Sequence, residues 1–503
     1  MYRTDLYNLL KTFSSEEMDR FGNFIQSHCS KRNKRLPAIW AEINNQYPLF
    51  ADKKFNKERL YKKLYTNRPY NDSTMRSFYH QLYRLAEKFI IEGRLNRNYF
   101  GNLNFLLEEL IDRSQYSLAQ KTIDNYKKGK TDKGYTSALY FEKYRLESNR
   151  FNFTRLSGAV HNKKSAVRNL RTLNRTDEYL VVFFIAELVS DFVNAETQLR
   201  KYNISDTTAN FAKSILEKLD LEDILTSFPQ DSEYYHILYL YYQLFKTYND
   251  FDEIGNYYEL KKAVMDDNHL FNRNELNKLY LVLIGYITFK KNHDSENPLY
   301  KEELYDLYKT FLTGEYYITY TSRYLTPDRY RAALMSAIEM NDFGWAETIM
   351  KKYTAKLQPK DIENMSFLAK ALYSYSVGKP ELALESSNKI KLENFIYKYD
   401  VKNLQLKIYT DTEQHESLYH LVHTYRGCLN NDTLLPKEGK QFYRTFIDYL
   451  EKLILFRDGK SKIDIEFLLH KIRKGNVFYH RPWLVLRYEH MIAKMEITYS
   501  PKK

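Results

Sequence analysis

Apolar positions recur every three or four residues along nearly the whole chain, the period of a helix with one buried side rather than of a strand. Ser14 stands three residues before Glu17. That is the spacing of a capping box, in which hydroxyl and carboxylate each satisfy a free backbone N–H, so a helix is expected to open there. Met18, Phe21, Phe24 and Ile25 supply its buried side. After Arg35, the positions Leu36, Ile39, Trp40, Ile43 and Tyr47 repeat the pattern up to Pro48, and a shorter helix is predicted over 57–65. Asp72 or Ser73 should cap a long helix running to about Glu92.

That long helix is two-sided. At about 100° per residue, Met75, Phe78, Tyr79, Leu82, Leu85, Ala86, Phe89 and Ile90 gather on one arc, and Arg76, His80, Arg84 and Lys88 on another. A short helix followed by a long basic one resembles the helix-turn-helix or winged-helix arrangement, whose second helix lies in the DNA major groove. The connection over 66–71 departs from it, with Pro69 and no Gly. Arg76, His80, Arg84 and Lys88 are therefore candidate contacts for a nucleic acid or an acidic partner, set against a plain solvated basic face.

From residue 101 onward the pattern reads helix, short turn, helix. Residues 102–111 and 116–126 form one predicted hairpin, and 234–248 with 251–265 another. Turn chemistry also marks Gly101-Asn102, the 203–207 stretch, Pro229 and Pro327. The stretch 179–193 is apolar nearly all round, so neighbours should enclose it, and 279–289 should likewise be buried. Both are too short for a membrane crossing, which needs about 20 apolar residues.

The clearest unit runs from Phe367 through Ala371 and Gly378 to Ala383. It resembles a tetratricopeptide repeat, in which small residues let two helices of a hairpin approach and a glycine turns the chain. Tyr330, Asn341 and Ala346 take the equivalent positions upstream, with Leu334 at the small position; Val401, Thr412 and Ser417 take them downstream, with Gln405 there. The resemblance covers 330–428 and implies stacked helical hairpins. The opening Phe13-Ser14, with Glu16, Arg20, Phe21, Phe24 and Ser27, is similar to a group of uncharacterised bacterial cytoplasmic proteins built from helical repeats. That likeness implies the same architecture and a cytoplasmic location.

Composition narrows the picture. Gly (15) and Pro (11) are scarce among 503 residues, which long helices tolerate and barrels or phosphate-cradling loops do not. The two cysteines, Cys29 and Cys428, are too few for a disulfide framework or a four-Cys zinc site, which fits a reducing compartment. The N-terminus lacks the apolar run of a secretory signal. The net charge of +13 is carried by the ends: the first hundred residues hold 19 basic against 10 acidic side chains. Tyrosine is abundant, at 47 residues, and a composition bias with Tyr replacing Phe and Leu at core edges is the simpler reading.

Reactive constellations are weak. Gly459-Lys460-Ser461 has the end of a phosphate-binding loop, but Ile454 occupies the required upstream glycine. His415 and His420 are five residues apart rather than four, and His420 with His423 lack a third ligand. Glu233 and His236 form half of a di-iron pattern whose other half is not visible, His269 being the nearest second histidine. His28 and Cys29 are adjacent, so their side chains diverge by about 100°.

The sequence thus predicts an all-α protein, an α-solenoid of stacked hairpins: a basic N-terminal helical domain over 1–100, a hairpin array over 101–325, and a tetratricopeptide-like array with basic C-terminal helices over 326–503. It points to a cytoplasmic, noncatalytic scaffold whose concave face binds a protein or peptide, without cofactor, metal or membrane insertion. A nucleic-acid-binding regulator using 72–92, and an enzyme assembling a site from distant residues such as His236 and His269, are the alternatives.

Overall fold

The computed structural model describes residues 2–29, 35–47, 50, 57–65, 68–126, 134–158, 160–201, 210–294, 296–319, 322–391, 395–435, 437–476 and 478–499. Among these residues the chain is all-α, its helices packed in neighbouring pairs, with no strand beyond a single bridge between Tyr135 and Phe271. The chain divides into two compact units.

The first unit comprises 1–129 and 142–176. It holds α1 (Tyr2–Leu10), α2 (Ser15–His28), α3 (Arg35–Asn44), α4 (Lys57–Leu64), α5 (Asp72–Arg97), α6 (Tyr99–Asp112) and α7 (Tyr116–Tyr126). It also takes parts of α8 (Ser137–Leu156) and α9 (Lys163–Lys201). The capping box is formed in both directions: Glu17 N–H donates to Ser14 Oγ at 3.1 Å and Ser14 N–H to Glu17 Oε2 at 2.9 Å. Leu6, Leu10, Phe21, Ile25, Ile39, Ile43, Met75 and Leu82 close one core. Helix α1, which has no cap or turn signal, is an element the periodicity did not isolate.

Two boundaries differ from expectation. Asn71, not Asp72 or Ser73, caps α5 by accepting from Thr74 N–H at 3.0 Å, because Asp72 is drawn instead to Arg76 and Tyr70. Helix α5 then runs on to Arg97, where Asn98 both ends it and caps α6, accepting from Gly101 N–H at 3.0 Å. The break expected at Gly101-Asn102 therefore lies at Asn98, and Gly101 is inside the helix.

The second unit comprises 130–141 and 177–503. After its shares of α8 and α9 come α10 (Phe211–Leu216), α11 (Leu221–Thr226), α12 (Glu233–Asn249), α13 (Ile254–Asp266), α14 (Arg273–His293) and α15 (Pro298–Thr313). Then follow α16 (Pro327–Glu339), α17 (Phe343–Thr348), α18 (Pro359–Ser376), α19 (Pro380–Ser387), α20 (Phe395–Asp411) and α21 (His415–Asn431). Helices α22 (Lys437–Arg457), α23 (Ile465–Lys474) and α24 (Arg481–Tyr499) end it. Helices α12 and α13, α14 and α15, α18 and α19, and α20 and α21 pack as hairpins, and α18 also touches α16 and α20.

One turn recurs between these helices. Glu315, Asn341, Gly378, Glu413 and Gly459 all take left-handed φ values, from 53° to 76°. The residue after each donates back to a carbonyl five positions earlier, as in Lys379 N–H to Ser374 O at 2.8 Å and Gln414 N–H to Tyr409 O at 2.9 Å. This Schellman motif satisfies carbonyls left free at a helix end, and glycine occupies it at least cost. The expected turn at Thr412 falls one residue later, at Glu413, and the buried position beyond it is Leu418 rather than the exposed Ser417. Ala371 and Ala383 are fully buried in the α18–α19 hairpin.

Helix α9 corrects another expectation. Val182, Ile185, Ala186 and Val189 are buried, but Leu180 and Phe184 are 40% and 44% exposed, since packing neighbours cover only one side. In α14, Leu279, Tyr280, Leu283, Ile284, Tyr286 and Ile287 are buried as expected.

The tyrosines have a use that a composition bias leaves out. Tyr241 donates to Glu275, Tyr305 to Asp342, Tyr375 to Asp411 and Tyr419 to Asp458, each reaching beyond its own hairpin across 34 to 39 residues, and Tyr399 donates to Asp432 at the far end of its own hairpin, 33 residues on. Tyr248 and Tyr286 make bonds of the same reach to backbone carbonyls. Each ring fills apolar space while its hydroxyl satisfies a group some three dozen residues away.

Candidate functional site

The four residues singled out on α5 lie where the helical period puts them, Arg76, Arg84 and Lys88 exposed and His80 half-buried. Two of the cations are already engaged: Arg76 pairs with Asp72 at 2.6 Å and Arg84 with Glu87 at 2.9 Å. Tyr70 also donates to Asp72, and burial together with that bond pushes its phenol up to about 12. Of the connection that the helix-turn-helix comparison turned on, residues 66 and 67 lie outside the described residues.

A denser constellation lies in the second unit, on the first helices of successive hairpins. Arg331 of α16 forms a part-buried ion pair with Asp400 of α20. Burial opposes the Arg331 charge, but Asp400 outweighs it and holds the guanidinium above its ordinary value. Tyr375 of α18 donates to Asp411 of α20 at 2.8 Å and accepts from the Trp483 indole of α24 at 2.8 Å. Arg487, one turn after Trp483, lies 2.7 Å from Asp411. Lys407 of α20 approaches His480 Nδ1 at 3.1 Å, just ahead of α24.

The chemistry of that last pair follows from its surroundings. Burial pushes Lys407 down to about 8, against the pull of Asp411 and Glu339. Burial, with the ammonium beside it, pushes His480 well below the usual imidazole range, so a neutral ring accepts from Lys407. Two outer contacts extend the seam: Arg481 meets Glu296 at 3.2 Å, and His293 of α14 meets Glu438 of α22 at 3.6 Å. Sequence reasoning missed this group because, apart from Tyr375 and Asp411, its bonded members are 69 to 108 residues apart. The hairpin-length spacing between a tyrosine and an acid was the one signal that pointed toward it.

Several of the remaining candidates have structural partners. His236 is held by Asp267 at 3.1 Å, and Glu233 accepts from Tyr140 at 2.9 Å. His415 meets Asp458 at 3.0 Å, whereas His420 and His423 are exposed on α21. His28 stacks on Phe24, and burial raises the Cys29 thiol. Gly459 caps α22 with φ 66°. No group of three or more His, Cys, Asp or Glu able to hold a metal occurs among the described residues. An apolar crevice lined by Ile185, Leu221, Leu225 and Tyr242 has no room for a water-sized guest. No described helix is long and apolar enough to cross a membrane.

No protein-family model matches the chain, and neither a curated protein nor a solved structure shows a significant likeness to it.

Proposed function

We propose that the chain is a noncatalytic scaffold whose hairpin array binds a protein or peptide along the face made by the first helix of each hairpin. The observation that carries this reading is that the array already seats a helix there: Tyr375 and Asp411 bond Trp483 and Arg487 of α24, and Lys407 meets His480 just ahead of it. A row of neighbouring helices offers that kind of surface without any reactive group. The left-handed turns at Asn341, Gly378 and Glu413, with Ala371 and Ala383 buried in the hairpin, support the likeness to tetratricopeptide hairpins.

The test is hydrogen exchange of the intact chain with and without a partner captured from native lysate. Protection is expected on α12, α14, α16, α18 and α20. Protection confined to the second helices, α13, α15, α19 and α21, would remove the reading. The nucleic-acid alternative asks Arg76 and Arg84 to leave Asp72 and Glu87 for phosphate, and the enzyme alternative asks His236 to leave Asp267.

A further inference from the structure

The outward side of α5 changes character along its length. Arg84, Lys88, Ile91 and Leu95 each stand nine residues after a buried position, Met75, Tyr79, Leu82 and Ala86, and so lie about 180° from the core. Ile91 is 57% and Leu95 41% exposed. The stripe that starts as basic therefore ends as apolar. The apolar end carries over the kink at Asn98: Asn102 of α6 donates to Leu95 O at 2.6 Å, which sets the exposed Tyr99 and Leu106 beside it. Lys88 and Arg94 flank this patch, both exposed.

We propose that this end of α5, with the start of α6, docks peripherally on an anionic lipid surface. Ile91, Leu95 and Leu106 would enter the headgroup boundary, with Tyr99 at the level favoured by amphipathic rings and Lys88 and Arg94 against lipid phosphate and carboxylate. Three features fit that occupant. The apolar side chains stand exposed on the outward side of the helix, where a flat surface reaches them. Lys88 and Arg94 flank them, while the acids nearby are engaged elsewhere, Glu92 with His28 at 3.8 Å and Glu109 with Arg113 at 2.5 Å. The first hundred residues carry the chain's largest basic excess. Duplex nucleic acid matches the cations but leaves Ile91 and Leu95 facing water. The inference is independent of the scaffold reading, which concerns the second unit.

The test is flotation of the full chain with 100 nm phosphatidylcholine vesicles containing about 30% phosphatidylserine, at about 0.1 M salt, where surface charge is only partly screened. The chain should float with them and bind pure phosphatidylcholine at least about tenfold more weakly. Ile91→Ser with Leu95→Ser, and separately Lys88→Glu with Arg94→Glu, should each lower binding about tenfold with unchanged circular dichroism, while Phe467→Ser on α23 leaves it unchanged. No flotation on anionic vesicles overturns the proposal. So does loss through the charge variant alone, which would mark general adsorption of a basic protein, or transfer of the same charge dependence to duplex DNA.

Discussion

Tyr241 shows how much one hydroxyl does in this protein. Its ring is buried, and its phenol donates at 2.7 Å to Glu275, a carboxylate only 2% exposed. Tyr241→Phe keeps the ring and strips the carboxylate of a donor, so urea unfolding should register a loss of about 1–3 kcal/mol. Tyr305→Phe, at the more exposed Asp342, should cost less than about 1 kcal/mol. The pH dependence has a worked sign. Lys407 titrates near 8 when folded and near 10.5 otherwise, so between those values the unfolded chain binds the extra proton and stability rises with pH. Above about 10 the sense reverses, because buried phenols such as Tyr241 and Tyr425 hold protons that the unfolded chain releases. The melting temperature should therefore climb from pH 8 to near 10 and then fall, and Lys407→Met should flatten the climb.

At the level of helices, the readable features were those whose cause is local. The Ser14 and Glu17 box and the buried side of α5 were legible because cap and period lie within a few residues. Ser14→Ala should cost about 1 kcal/mol in thermal or urea melts. Asn98 was not legible, since an asparagine that both stops one helix and starts the next resembles any polar residue between two runs. Glu413 escaped for a similar reason: the sequence places no glycine there, yet φ is 55°. Replacing it with glycine relieves a left-handed strain of about 1 kcal/mol, offset in part by greater freedom of the unfolded chain, and a higher urea midpoint is expected.

Across the whole chain, what joins distant segments is polar and invisible to a short window. Arg331 and Asp400 are 69 residues apart, and neither position stands out from its neighbours in sequence. Arg331→Met alone should destabilise by about 1–3 kcal/mol because it leaves the part-buried Asp400 without its cation. Combining it with Asp400→Leu should recover most of that loss, as read from paired urea curves. The four residues named on α5 were found by periodicity, while the second unit's seam was not, since it draws one or two residues from each of several hairpins.

The tyrosine-to-acid bonds between hairpins have a consequence for inheritance. Each bond constrains two positions some three dozen residues apart and leaves the letters between them open, provided they still make a helical hairpin. Descendants of one ancestor could thus lose all detectable resemblance letter by letter while preserving paired phenol and carboxylate at a steady interval, and kinship would be better sought in that rhythm than in aligned identity.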